Sequence, residues 1–287
     1  MKRFKDNKPS KKIGIVLAHI FLVLLAFIWI LPIFSMFMTS FRSTQGVYSS
    51  TFLPTKISFN SYRKLFTDLT VFNYPKMFVN TCVIASVGAI ISTILIISTG
   101  YVLSRERFPK RKGVMWLIRI IRYFPFFMIM LAVYYITRLF SWNTGPILRI
   151  IMICAYSGGA GISYVYAKEY FDTMPKNLED AARLEGATKF RIFAGIIMPL
   201  SNPIIIYTFV SSFLMTCKDF MLARVLCGAE KNYYTVAVGL YNMLDEEHID
   251  QWFTAFAAGA VLISIPVFIL ELYASKFNRK CNERMRK

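Results

Sequence analysis

Six apolar runs, at about 13–38, 77–104, 114–137, 146–167, 196–216 and 252–275, constrain the fold more than any other feature of the sequence. Each is near or above the ~20 residues that an α-helix needs to cross a bilayer. Backbone groups in lipid must be satisfied within the segment, so runs of this length read as transmembrane helices. With 56% hydrophobic residues the chain is too apolar for an ordinary soluble domain. Phe and Tyr gather near the ends of the runs, as an interfacial belt requires. The first run, Ile13 to Met38, is too long for the core of a signal peptide, and no small-residue cleavage site follows it. It reads as a retained span.

A net charge of +18 raises nucleic acid as a partner, but the pattern of charge argues against it. Lys2, Arg3, Lys5, Lys8, Lys11 and Lys12 precede the first run, and Arg105, Arg107, Lys110, Arg111 and Lys112 follow the second. Lys168, Lys176, Arg183, Lys189 and Arg191 follow the fourth, and Lys276, Arg279, Lys280, Arg284, Arg286 and Lys287 follow the sixth. With six spans, all four clusters fall on one side. The last connection on the other side leans acidic, with Glu230, Asp245, Glu246, Glu247 and Asp250. Cationic loops stay in the cytoplasm. The expectation is a multi-pass protein of the cell membrane with both termini cytoplasmic: a basic tail at 1–12, a membrane domain at 13–275 and a second basic tail at 276–287.

Metal chemistry finds little support. The two histidines, His19 and His248, form no paired motif, and the five cysteines, Cys82, Cys154, Cys217, Cys227 and Cys281, are scattered. The cysteines read as buried small hydrophobes. Pro32, Pro125, Pro203 and Pro266, with Ser157-Gly158-Gly159, interrupt the apolar runs. As a set they read as a deformable wall around a path; singly, each reads as a kink. Arg119 and Arg122 share a helical face inside the third run. They read either as cations snorkelling to headgroups or as a functional pair, with Glu271 as a candidate partner of Arg122.

Between the fourth and fifth runs lies a charged, helix-forming loop, about 175–199. Asn177 and Asp180 have capping-box spacing, and Glu179 and Asp180 suit the positive end of a helix dipole. Ala181 and Ala182 leave room for another surface to approach. Gly186 stops the helix, Thr188 caps a second one, and Pro199 bends that one into the fifth span. Two short helices tied to a span could transmit a push.

Asp180-Ala181-Ala182, Gly186, Ile196 and Met198-Pro199 together resemble the EAA loop of permease subunits of ATP-binding-cassette importers, with Asp for Glu and Met for Leu. Further stretches resemble the sugar branch of that family: Phe78 to Thr81, Gly100 to Arg105, Trp142 to Thr144, Lys218 to Phe220, Tyr234 to Leu240, and Trp252 to Val261 with Ile265-Pro266. The nearest pattern is the six-span subunit of maltose-type transporters. The tail departs from the family's glycine-rich, Gln-bearing end, and Cys217 stands where the family often has Trp.

The resemblance implies an all-α integral membrane protein of the type I importer permease fold, six spans with a two-helix coupling loop. It implies a non-catalytic transport subunit. Glu179, Asp180, Ala181, Ala182, Gly186, Ile196 and Pro199 would engage a cytoplasmic ATPase dimer, which binds the ATP and Mg. The chain has no Gly-x-x-x-x-Gly-Lys-Ser/Thr to cradle phosphates itself. A second permease subunit and an extracellular or periplasmic solute-binding protein complete the implied assembly. Malto-oligosaccharide is the implied cargo, and Asn80, Tyr134, Tyr135, Ser157 and Tyr164 are candidate walls of its path. Competing readings are an importer of amino acids or phosphate esters, a membrane-embedded enzyme and a secondary transporter. The last two would need clustered or paired acids that the runs lack.

Overall fold

A computed structural model describes residues 9–43, 46, 53–54, 56–142, 144–158, 161–228 and 230–285, with backbone alone at 9–13, 122, 161 and 277–285. Among the described residues the secondary structure is helical, apart from one isolated bridge between Arg42 and Ile57. Three helices are each long and apolar enough to cross a membrane: Gly14–Ser40, Tyr74–Arg105 and Ile249–Lys276. Three further spans arise when each of three bent helix pairs is counted as one.

The chain forms two compact units, residues 1–71 with 243–262, and residues 72–242 with 263–287. In the first unit α1 (Pro9–Ser40) carries an apolar surface with none of its most apolar window buried. Its end is pinned to α2 (Asn60–Thr67): the Ser40 and Tyr62 hydroxyls lie 2.9 Å apart, and Phe41 packs edge-on against Phe59. Lys64 of α2 donates to the Gln251 carbonyl at 2.8 Å and lies 4.2 Å over the ring of buried Trp252.

The second unit is built along α3 (Tyr74–Arg105), a 32-residue helix opened by the Asn73 side chain, which accepts from the Lys76 amide. Next come α4 (Arg111–Tyr123), α5 (Phe126–Leu139), α6 (Gly145–Ser157) and α7 (Gly161–Thr173). After these lie α8 (Asn177–Leu184), α9 (Lys189–Ile192), a π turn at Phe193–Ile197, α10 (Met198–Leu200) and α11 (Asn202–Lys218). Short α12 (Met221–Cys227) and α13 (Val236–Asn242) precede α14 (Ile249–Met285), of which residues 263–285 belong to this unit. Helices α6, α7 and α11 all pack on α3. Small residues make this close approach feasible, because a membrane gives helices no hydrophobic incentive to associate and dispersion must suffice. At Gly100 an added Cβ would sit 2.6 Å from the Ala167 Cβ of α7.

The spans are less continuous than the apolar runs suggest. The third breaks between α4 and α5 by 94°, at Phe124-Pro125, where Pro125 removes a donor and pushes Phe124 into an extended conformation. Between α6 and α7 the bend is 46°. The fifth run, expected as one span from 196, is also bent: the segment through Leu200 meets α11 at 77°. Pro199 lies within α10 and Ser201 holds the corner, its hydroxyl donating to the Ile197 carbonyl at 2.7 Å. Pro203 then starts α11, so the span begins at Asn202 and the bend lies past Pro199. A π turn just before Pro199 fits a residue that cannot supply an amide to the preceding turn.

Candidate functional site

Helices α8 and α9 form a hairpin whose geometry follows from local sequence. Lys176, not Asn177, occupies the N-cap position of α8, and no side chain caps it, so the capping box expected of Asn177 and Asp180 does not form. Asn177 already lies inside the first turn, which removes it from the position where a side chain reaches the free amides. The other end behaves as the sequence suggests. Gly186 takes φ +81°, its amide bonds to the Arg183 carbonyl at 3.0 Å, and the Ala187 amide bonds to the Ala182 carbonyl at 2.9 Å. This is a Schellman closure, which needs a left-handed residue at Gly186. Thr188 then caps α9, its hydroxyl accepting from the Arg191 amide at 3.3 Å.

One face of the hairpin is core. Ala182, Ile192 and Ile197 join Ile96, Ile97 and Tyr101 of α3 and Phe171 of α7 in a single buried cluster, with Ile196 packed against it. Within this face Glu179 is only 2% exposed. Its carboxylate lies 2.7 Å from the Arg105 Nε at the end of α3, with both side chains almost wholly buried. Arg105 also donates to the Met174 carbonyl at 2.9 Å, and Tyr101 reaches the second Glu179 oxygen at 3.5 Å. Nearby, Lys189 pairs with Glu106 at 2.8 Å, and Ser104 donates to Asp172 at 2.6 Å. Asp172 also pairs with Lys168 one turn away. The end of α3 is thus tied to α7, α8 and α9 by charge.

The other face is open. Asp180, Ala181, Gly186 and Pro199 are exposed, and two large apolar side chains, Leu184 and Phe190, are 92% and 78% exposed. Arg183 lies between the faces, 3.8 Å from Glu179 and 4.0 Å from Asp180. The expected group therefore splits: Glu179, Ala182 and Ile196 face the core, and the rest face outward. Ala182 was expected to help leave room for a partner surface but is buried.

The expected path residues do not converge. Asn80 is buried in a structural network, donating to the Asn232 and Tyr234 carbonyls at 2.9 and 3.2 Å and accepting from Arg149 at 2.7 Å. Ser157 is buried and donates to the Cys154 carbonyl at 2.9 Å. Tyr164 bonds to the Gly158 carbonyl and packs on the core cluster. Tyr134 lines a small cleft beside Arg138, and Tyr135 is exposed. Arg119 and Glu271 are exposed; the Arg122 side chain, Gly159 and Cys281 lie outside the residues described, wholly or in their side chains. Of the other cysteines Cys154 is exposed, unlike the buried role expected of it.

Two groups escaped the sequence reading. Arg149, a cation inside the fourth run, is half of the Asn80 network and lies 5.7 Å from the Tyr233 ring. An ionisable residue within a span was the available signal. The Arg105–Glu179 pair was signalled by an arginine closing a long apolar helix and an acid on the same helical face as Ala182.

The match to known proteins agrees with this architecture. A family described as "Binding-protein-dependent transport system inner membrane component" matches residues 92–282. The galactooligosaccharides transport system permease protein GanQ of Bacillus subtilis (strain 168) is 29% identical over 272 residues, covering 94% of both chains. The maltose/maltodextrin transport system permease protein MalG of Escherichia coli (strain K12) is 32% identical over 181 residues, 61% of this chain and 59% of that one. In fold, the chain resembles one from the crystal structure of a bacterial ABC transporter involved in the import of the acidic polysaccharide alginate. There the TM-score is 0.79 at 21% identity, covering 96% of this chain and 99% of the other. Helical fold and family match converge: the chain belongs to the inner membrane components of binding-protein-dependent transport systems.

Proposed function

We propose that the chain is one of two permease subunits of an ATP-driven oligosaccharide importer, and that the α8–α9 hairpin couples it to a cytoplasmic ATPase dimer. One observation carries the coupling role: the hairpin is fastened inward by a buried ion pair while leaving the apolar side chains of Leu184 and Phe190 exposed. Exposed apolar side chains on a charged loop suit a protein contact. The positive-inside pattern supports placing this loop, and both termini, in the cytoplasm.

Force on the hairpin would travel by two routes. Through Glu179 and Arg105 it reaches the end of α3; through the α9 to α10 segment and the Ser201 corner it reaches α11. Because α3 and α11 pack together, both routes favour a rigid-body rocking of the spans over local bending. ATP and Mg would bind to the ATPase, and this chain would supply the path and the lever. A solute-binding protein would deliver cargo on the opposite side. That role is supported by a second related structure, of the alginate transporter in complex with a pentasaccharide-bound periplasmic protein. The oligosaccharide class follows the names of the relatives, with malto- and galacto-oligosaccharides as the leading cargoes.

The test is the complex isolated through a tag on this chain and reconstituted in liposomes, with ATP inside or absent. Labelled maltotriose and a galactotriose should enter only with ATP. Leu184→Asp with Phe190→Asp should release the ATPase while leaving the permease inserted and folded. Retention of a fully active ATPase by that variant would overturn the coupling role; lack of any ATPase in the wild-type preparation would overturn the importer.

A further inference from the structure

The second unit holds a cavity of about 520 Å³ that none of the expected path residues lines. Three bent or broken spans meet there: the α4–α5 corner, the ends of α6 and α7 either side of their bend, and the middle of α11. Its volume lies in the range of pockets that bury a small organic ligand. Its polar side is built from the hydroxyls of Tyr156, Tyr166 and Tyr207 and of four Ser and Thr residues, Ser163, Ser211, Ser212 and Thr216. Phe124 and Phe126 supply aromatic faces from the corner. No Lys, Arg, His, Asp or Glu occurs among the described residues that line it.

The hydroxyls are not equivalent. Tyr156 donates to the Asp219 carboxylate at 2.5 Å, and the same carboxylate oxygen accepts from the Leu222 and Ala223 amides at 3.1 and 3.3 Å. Asp219 is therefore held by the first-turn amides of α12 and fixes the Tyr156 proton, which leaves that phenol oxygen only the role of acceptor. Ser212 lies 3.2 Å from Ser92 of α3. Tyr166 and Tyr207, by contrast, are 45% and 44% exposed and make no hydrogen bond to other described residues. They are free to donate as well as accept. Fixed acceptors, free phenols and aromatic faces match a ring that carries hydroxyls on its edge and C–H groups on its faces. An anionic ring would need a cation or a row of fixed amides to replace its hydration.

We propose that this cavity is a station in the translocation path that holds a neutral sugar ring, with the Tyr166 and Tyr207 hydroxyls reading the ring's edge. The proposal rests on the importer reading above and deepens it by naming the subsite and the charge class of the cargo.

The experiment uses the tagged complex in liposomes with internal ATP, comparing wild type with Tyr166→Phe, Tyr207→Phe and the double variant. Sugar taken up per ATP hydrolysed is measured for labelled maltotriose, a galactotriose and a trimannuronate. Each Phe variant is expected to lower the ratio for a neutral trisaccharide about three- to tenfold, the loss that removing one hydrogen bond brings. The ATPase rate stimulated by loaded binding protein should stay unchanged, which a folding defect would not allow. An unchanged ratio in the double variant would overturn the subsite. Uptake of trimannuronate in preference to both neutral sugars, or ATPase activity without uptake of either, would overturn the neutral-ring assignment. A preparation with no co-purifying ATPase would instead count against the importer reading itself.

Discussion

Arg105 and Glu179 fasten the α8–α9 hairpin to the end of α3, and the energetics of the pair are lopsided. Two charges taken out of water recover their desolvation only while they face each other. Arg105→Ala leaves the Glu179 carboxylate buried, at 3% side-chain exposure, with only the half-exposed Arg183 at 3.8 Å as a cation. This variant should destabilise the protein by about 3–5 kcal/mol, as removing one partner of a buried pair generally does. Arg105→Met with Glu179→Leu should recover most of the loss in thermal unfolding in detergent, while uptake stays low because the charged tie is gone. Gly186 is a different case. A Cβ there would meet nothing within 4 Å, so any penalty comes from φ +81° rather than from a clash. Gly186→Val should cost about 1–2 kcal/mol, the left-handed penalty for a residue with a Cβ. Gly186→Asn, which tolerates that region, should retain more uptake than Gly186→Val in the same liposome assay; equal loss in both would point to the partner surface instead of the backbone.

Among the elements, α3 is the spine and its small residues set how near its neighbours come. A Cβ added at Gly100 would lie 2.6 Å from the Ala167 Cβ and 3.1 Å from Ala167 and Lys168 backbone atoms. Gly100→Ala should therefore overpack the α3–α7 contact and lower stability by about 1–3 kcal/mol. Ala167→Gly placed in the same chain should restore part of it, since the backbone contacts remain; full additivity of the two losses would show that the helices do not meet there. At the opposite end of α3, Asn80 and Arg149 tie α3 and α6 to the loop before α13. The bends at Phe124-Pro125 and Ser201 divide two spans into separate helical pieces, and the Ser201 amide bonded to the Ile197 carbonyl at 2.9 Å and the Ile205 amide bonded to the Ser201 carbonyl at 3.1 Å hold the second corner.

On the scale of the whole molecule, the decisive property is sidedness. Four cationic clusters predict that the α8–α9 hairpin lies inside the cell and the acidic connection before α14 outside. In a cysteine-free background, Glu247→Cys should react with a membrane-impermeant maleimide on intact cells, and Arg191→Cys only after permeabilisation. The reverse pattern would overturn the orientation and the coupling role with it. The exposed surface of α1 is apolar all round, as a helix bathed in lipid or packed on another membrane helix must be.

The sequence by itself determined that the chain is a bundle of membrane helices, where the apolar runs lie, and how the hairpin closes at Gly186 and Thr188. These features are local: span length, cap chemistry and a positive φ each depend on a few adjacent residues. It also carries the expectation that the hairpin meets a partner, through a motif contiguous in the chain. Only the tertiary structure decided that Glu179 turns inward to Arg105, that Asn80 is structural, and that the hydroxyl-lined cavity draws on Tyr156, Tyr166 and Tyr207. Those assignments join residues far apart in sequence, and which of them meet depends on where α3, α6, α7 and α11 bend and how closely their small residues let them pack. Within a span, apolar periodicity marks poorly which face meets a neighbour, because lipid and protein interior are equally apolar.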